Sequence, residues 1–285
     1  MSFGYQVLGF GSFASRGGPV TLENEGSINS QANIKLVTAS DYIGAGGLLI
    51  IPADFWVWSD ATGTAALIVD VADCTIENNG KIIGQGGGGN GVDGGNAISI
   101  TASGVTITSA SGAYIAGGGG SGGRGYQPTT GGGGAGGGAG GGSAAGGVLN
   151  AVGDNGGTAT GANQRIWGYG GGAGGGGGGH DSFGTGVSPH SGAGGRILPG
   201  DGGLSGNDVR GTYRPGYGGS AGNAGGNHNG AVYSGGGGGW GANGGLGGNG
   251  SSSNVYSGGT GGKAIEDNGN SYTLSNSGTI YGATT

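Results

Sequence analysis

The sequence predicts an all-β scaffold of short strands, stacked or hairpinned, carrying a large inserted glycine-rich block folded as a polyglycine II helix bundle, with essentially no α-helix. Three observations predict it. Glycine supplies 89 of the 285 residues, while only 8% are charged. Short Val/Ile/Thr-rich runs bounded by Asn, Gly, Asp and Pro recur through residues 20–116, the mark of brief strands. The two materials also separate along the chain: residues 117–262 hold 65 of the glycines, whereas residues 1–116 hold 31 of the 47 Leu, Ile, Val and Phe.

From the N terminus, residues 1–18 form a segment of their own, opening Met-Ser-Phe-Gly-Tyr-Gln-Val without the basic and apolar regions of a secretion signal. Residues 19–116 are the β-scaffold, with strands expected at Asn33–Val37, Gly47–Ile51, Phe55–Trp58, Ala66–Val71, Ala97–Thr101 and Val105–Thr108. A weak repeat, apolar-x-Asn-x-Gly-x-Ile, occurs at Leu22–Ile28, Ile76–Ile82 and Leu274–Ile280, with a looser copy from Ile107 to Ile115. It reads as strand, tight turn with positive φ at Asn or Gly, and strand again: one corner of a stacked or hairpinned element. A second repeat brackets the glycine block, Gly94-Gly95-Asn96-Ala97-Ile98 before it and Gly261-Gly262-Lys263-Ala264-Ile265 at its end. Residues 117–262 are therefore expected to be an insertion between two β-elements, anchored at both ends, with residues 263–285 pairing back onto the scaffold.

Composition excludes several classes. Collagen needs a strict Gly-X-Y period and abundant proline, and the chain has six prolines and long glycine runs. The single Cys74 rules out a disulfide framework and reads as a small buried apolar residue. No apolar run reaches the ~18 residues of a membrane span, so no membrane insertion is expected. The net charge of −6 belongs to the flanks, because the block's five Arg and four Asp leave it at +1, and nucleic acid is not an expected partner. The expected product is made in the cytoplasm, is soluble and needs no cofactor.

What could order so much glycine is the left-handed threefold polyglycine II form. It has no internal hydrogen bonds, but without Cβ atoms neighbouring runs can approach and satisfy each N–H and C=O laterally. The runs are present: 117–123, 131–142, 170–179, 235–239 and 244–250, interrupted mostly by Ala, Ser and Asn. Bulky residues are confined to the connections, where nine of the 20 aromatics, five of six arginines and all three histidines fall within the block. Loops rich in Tyr, Trp, Arg and His on a rigid scaffold suit recognition. The candidate contact residues are Arg124, Tyr126, Trp167, Tyr169, His180, Phe183, His190, Tyr213, Arg214, Tyr217, His228, Tyr233, Trp240 and Tyr256. The competing role for these aromatics is to cap the array ends and shield its hydrogen bonds, and about half are expected to do so.

At this point the chain resembles bacteriophage tail-fibre adhesins with a polyglycine II sandwich, and the glycine-rich tips of other phage tail and virion proteins, in which an Asn-x-Gly-x-Ile-x-Gly stretch opens into a glycine run. Here those stretches are Asn78-Asn-Gly80-Lys-Ile82-Ile-Gly84 and Asn276-Ser-Gly278-Thr-Ile280-Tyr-Gly282. The resemblance implies a virion structural protein on a tail or capsid appendage, a host-surface receptor, protein or glycan, met by the loops, contact with other virion proteins through residues 1–18, and a homotrimer among its assemblies. The size of the 20–116 region leaves a capsid head fibre or decoration protein as the alternative, and an ice-binding protein as a third class. No enzyme is expected: Asp54, Asp60, Asp70, Asp73 and Glu77 are the carboxylates available for polysaccharide cleavage, and acidic residues beside turns are usually solvated or caps. The spacing of His180, His190 and His228 fits no zinc signature, and Gly88–Asp93 is a lone, incomplete calcium nonapeptide, so no metal site is expected.

Overall fold

The computed structural model describes residues 18–24, 26–28, 31–88, 91–123, 219–227, 235–248 and 255–285. Seventeen short strands and one 3-10 turn, Ala39–Asp41, make up its regular structure, with no α-helix among the described residues. After β1 (Val20–Thr21) and β2 (Gly26–Ile28), the chain winds in coils of three strands. These are β3 (Gln31–Lys35), β4 (Val37–Thr38) and β5 (Leu48–Ile51); then β6 (Phe55–Trp58), β7 (Leu67–Val69) and β8 (Thr75–Asn78); then β9 (Lys81–Ile83), β10 (Ile98–Ile100) and β11 (Val105–Ser109). Next come β12 (Tyr114–Ala116), a small antiparallel pair β13 (Gly247–Gly248) and β14 (Val255–Tyr256) within the glycine block, and finally β15 (Ile265–Glu266), β16 (Tyr272–Asn276) and β17 (Thr279–Tyr281).

Successive coils stack into three parallel sheets. Sheet A runs β1-β5-β8-β11-β16, sheet B β2-β3-β6-β9-β12-β17, and sheet C β4-β7-β10-β15. The result is a three-sided parallel β-helix, and the register shows what holds it together. One ladder of inward side chains passes through Ile34, Val57, Ile82, Ile115 and Ile280. A second passes through Leu49, Ile76, Ile107 and Leu274, and a third through Val37, Leu67, Ile98 and Ile265. All these positions are buried except Leu274 and Ile280 in the last coil, which pack against the core half-covered. Like residues stacked one rung apart fill the core at full density with few atoms, which is how so small an aliphatic complement suffices. At the N-terminal end β2 turns back antiparallel onto β3, the one reversal in the otherwise parallel sheets.

The apolar-x-Asn-x-Gly-x-Ile repeat is the corner from sheet A to sheet B. Gly80 N–H donates to Asn78 Oδ1 and Gly278 N–H to Asn276 Oδ1, both at 3.1 Å. Neither glycine has a positive φ, contrary to the sequence expectation. Glycine is required there by crowding: a Cβ on Gly80 would stand 2.5 Å from the carbonyl oxygens of Pro52 and Phe55 in the coil below. The first copy, Leu22–Ile28, forms the same corner but leads into the antiparallel β2, and Asn24 Oδ1 there accepts the N–H of Asn33 at 3.0 Å.

A different corner, from sheet B to sheet C, carries the elaboration. It is Leu36 alone in the first coil, residues 59–66 in the second, 84–97 in the third and 117–264 in the fourth. The glycine block is the last and largest member of this series. Its two ends are fixed by β12, paired on β9 and β17, and by β15, paired on β10.

Candidate functional site

Beyond Ala116 the chain leaves the strand geometry and hydrogen-bonds to neighbours on several sides. Gly117 N–H donates to Tyr281 O at the edge of sheet B, and run 117–123 leads away from there. Run 235–241 lies antiparallel to it: Gly241, Gly238 and Gly235 donate to Gly117, Gly120 and Gly123 at 2.7, 2.8 and 2.9 Å. Residues 258–262 are antiparallel as well, with Gly262 and Gly259 donating to Gly118 and Ser121, each at 2.7 Å. So are residues 91–95, which accept from Ser121 and Gly118 at Val92 and Gly95. Two neighbours run parallel: Gly84 and Gly87 donate to Ala116 and Gly119, while Gly120 and Gly123 donate to Ala242 and Gly245. In every pairing both partners advance by three residues from one bond to the next, the period of a threefold extended run. A further hairpin, 219–227, extends the array through bonds such as Gly219 to Gly237 and Gly236 to Gly226.

Glycine is obligatory in this arrangement. Cβ atoms built on Gly117, Gly118, Gly120, Gly122, Gly235 or Gly245 would fall well under 3.0 Å from backbone atoms of an adjacent run. Residues 84–88 and 91–95, which composition assigns to the scaffold, belong to the same array. The lattice therefore begins one coil earlier than the glycine-rich block.

The lattice has two unlike ends. Beside the β-helix it closes in tight turns at Gly222 and Gly241, both with positive φ, and Gly241 lies against Tyr281 and Gly282. At the other end Gly91 bonds level with Gly122, Gly235 level with Gly123, and Gly245 level with both Gly123 and Gly236, with β13 and β14 beyond. Gly219, level with Gly237, lies part-way along. This end of the lattice faces away from the β-helix. Three of the four exposed large hydrophobics among the described residues, Val92, Leu246 and Val255, also lie toward that end.

Of the candidate contact residues, two are described. Tyr256 sits in β14 opposite Gly247, half-buried near the far end. Trp240 does not fit the contact role: it is fully buried at the base of the lattice, packed with Trp56, Trp58, Ile83 and Ala116 under Tyr114 and Tyr281. The ring contacts are 5.6 Å edge-on to Tyr281 and 6.2 Å to Tyr114. Burial also pushes the Tyr281 phenol up, and neighbouring Tyr114 adds to it. The capping role is the one Trp240 fills, because a large ring at a tight turn is driven onto the apolar outer face of sheet B. Arg124, Tyr126, Trp167, Tyr169, His180, Phe183, His190, Tyr213, Arg214, Tyr217, His228 and Tyr233 lie outside the described residues.

That outer face was not singled out from sequence. On it Lys81 Nζ stands 5.3 Å above the Trp56 ring and pairs with Asp54 at 2.8 Å, and Lys35 Nζ stands 5.9 Å from Trp58 and pairs with Asp60 at 2.9 Å. Its signal lay in β6, Phe-Trp-Val-Trp, where both alternating faces are apolar and both must therefore be covered. The hydrogen bond and charge of Lys81 hold the Asp54 carboxyl below its usual range. The other carboxylates also have structural work. Asp70 accepts from the Ser40 N–H and hydroxyl at 2.9 and 2.6 Å, Glu77 accepts from Asn79 at 2.8 Å, and Asp73 occupies a turn at φ 54°. Asp93, from the calcium-like stretch, accepts the N–H of Thr260 at 2.7 Å. No group of three potential metal-ligating side chains occurs among the described residues.

No family model matches the chain, and no curated protein matches it. Among solved structures it is similar to a chain in the crystal structure of the gp37-gp38 adhesin tip complex of the bacteriophage S16 long tail fibre, at 20% identity and a TM-score of 0.44, covering 93% of this chain and 82% of that one. With a likeness of that size, the fold rests on the strand pairing itself and the site on the lattice geometry.

Proposed function

We propose that this chain is a phage virion protein, a tail-fibre or tail-tip adhesin that presents host-contact loops on a polyglycine II array raised from one corner of a β-helix. The observation that carries the reading is the lattice itself, raised from one corner of the β-helix, with the aromatic, Arg and His residues of the glycine block concentrated in the sequence between its runs. A lattice with its backbone groups bonded on several sides is a rigid base of the kind on which recognition loops are carried. Tyr, Trp and Arg are the side chains that contribute most at such contacts.

In this reading the array spans residues 117–262 together with 84–95, and β15–β17 close the scaffold after it. The virion assignment rests on the sequence resemblance. Residues 1–18 dock to other virion proteins, and the receptor is a protein or glycan of the host surface. The role proposed is binding, and Asp54, Asp60, Asp70 and Glu77 each hold a structural partner.

The test exchanges the loop at 208–217, and then several loops together, in otherwise intact phage. Particles should assemble, and adsorption to the host should fall or change its host range. Unaltered adsorption after several loops have been replaced would sink the proposal.

A further inference from the structure

A lattice of threefold runs carries a degeneracy. Each run repeats its environment every three residues, so sliding one run by three positions restores its lateral bonds, and glycine offers no side chain to forbid the slip. A run that adjoins a strand of the β-helix inherits a register at its base, but runs 219–227 and 235–248 adjoin none of its strands, and side chains must hold the array in step along its length. The non-glycine residues within the described runs are placed to do so. Ser121, fully buried, accepts the Val92 N–H on its hydroxyl at 2.7 Å and donates back to Val92 O at 3.1 Å, tying run 117–123 to run 91–95. Asp93 accepts the N–H of Thr260 at 2.7 Å, and Asn243 accepts that of Gly261 at 2.8 Å, so two runs grip the segment 258–262 from different sides. Asn227 accepts the Leu246 N–H at 2.9 Å, fixing the outer hairpin to run 235–248. Asn96 accepts the N–H of Lys263 at 2.8 Å where the lattice rejoins the β-helix.

Trp240 supplies the stop at the base. It is one residue from the Gly241 turn and enters the cluster of Trp56, Ile83 and Ala116 on sheet B. Sliding run 235–241 by one period would extract the indole from that cluster and leave Gly237 or Asn243 in its place. Its Nε1 has no hydrogen-bond partner, so packing and ring contacts alone hold it.

We infer that the side chains interrupting the glycine runs are register pins, with Trp240 the base stop, and that they set the relative height of neighbouring runs. A slip of three residues would displace one run against another by about 9 Å. This inference does not depend on what the connections bind, and its test uses no receptor.

The experiment is hydrogen exchange by mass spectrometry on the full chain. The variants are D93A/S121A/N243A, which removes three pins and keeps every Cβ, W240A, and W240F, which keeps a buried ring. In the triple variant and in W240A, peptides covering 117–123, 235–245 and 258–262 should exchange on the order of tenfold faster or split into two mass envelopes. Peptides covering β7, β10 and β11 should be unchanged, and W240F should match the wild type. Wild-type exchange in the lattice peptides of both D93A/S121A/N243A and W240A overturns the inference. So does equal loss of protection in the β-helix peptides, which would make these residues ordinary contributors to global stability.

Discussion

The close packing of the lattice can be tested by adding one methyl group. In Gly118→Ala the new Cβ would lie far inside the 3.0 Å limit from the carbonyl O and C of Gln85 and at 2.9 Å from Gly86 N, all backbone atoms that cannot rotate away. Run 84–88 would have to move by more than an ångström, and it is held by Gly87 N–H to Gly119 O at 2.9 Å and Gly95 N–H to Gln85 O at 2.7 Å. Overpacking a side-chain core costs about 1–3 kcal/mol. Here the obstacle is backbone, and separation also weakens lateral hydrogen bonds worth ~1 kcal/mol each. The expected loss is therefore about 3 kcal/mol or more, a melting temperature lower by on the order of 10 °C at ~2–4 °C per kcal/mol. The control is Gly63→Ala, where nothing lies within 4 Å of the added Cβ and φ is not positive. It should be neutral, or stabilising by ~0.4–1 kcal/mol through the unfolded chain. Calorimetric melting of the two variants beside the wild type decides the matter. If Gly118→Ala melts within about 2 °C of Gly63→Ala, the runs are not in the contact that the geometry assigns them.

Two further perturbations probe the β-helix. Asn78→Ala removes the acceptor of the Gly80 N–H and a fully buried amide that reaches Ser109 Oγ and Tyr114 O, each at 3.4 Å, and should cost about 1–3 kcal/mol in thermal or denaturant unfolding. Asn276→Ala, at the same corner in the exposed last coil, should cost clearly less, because water can replace the lost bond. For Asp54, NMR should show the carboxyl titrating below the ordinary ~3.9, and Lys81→Met should bring it back up. A depressed folded-state value means that the pair's contribution is complete above the unfolded-state pKa and is lost as pH falls through the folded one, so the wild type should lose more stability on acidification than Lys81→Met.

Much of the fold was legible because its signals are local. Short runs rich in Val, Ile and Thr, bounded by turn residues, marked β5, β7, β10 and β11 to within a residue or two, since every coil buries alternate positions of its strands. The two bracketing repeats pointed to a pairing as well: Ile98 and Ile265, the last residue of each, stand side by side in β10 and β15. The parallel stacking itself was not legible. Ile76 meets Ile107 and Ile107 meets Leu274 across the whole glycine block, and nothing within a strand announces such a partner. At the site, Trp240 read like the loop aromatics because its neighbours are glycines, yet its burial is decided by Trp56, Tyr114 and Tyr281, remote in sequence. The membership of residues 84–88 and 91–95 was missed for the same kind of reason. A glycine run looks alike in a loop and in a lattice, and only the facing backbone distinguishes them.

The sheet-B-to-sheet-C corner is the place on this β-helix from which such a lattice can start. A β-strand directs its N–H and C=O groups to two neighbours in one plane, whereas a threefold run directs successive groups around its axis and can bond on all sides. Side chains permit only the first arrangement, because Cβ atoms occupy the space that additional backbones would need. Run 117–123 continues β12 in line, and the change comes where the side chains stop: Ala116 still sits in the sheet, while residues 117–123 donate to Tyr281, Gly95, Ala242, Val92 and Gly245. The coil below does the same at Gly84, and the two runs leave parallel and in step through Gly84 to Ala116 and Gly87 to Gly119. The first pair of the lattice thus inherits its direction from sheet B. The sheet-A-to-sheet-B corners could not serve, since residues 52–54, 79–80, 110–113 and 277–278 turn at once and send no parallel pair outward. Lattice orientation is therefore set by which corner of the coil is opened, and the tethering of β12 and β15 to adjacent sheets keeps that orientation fixed.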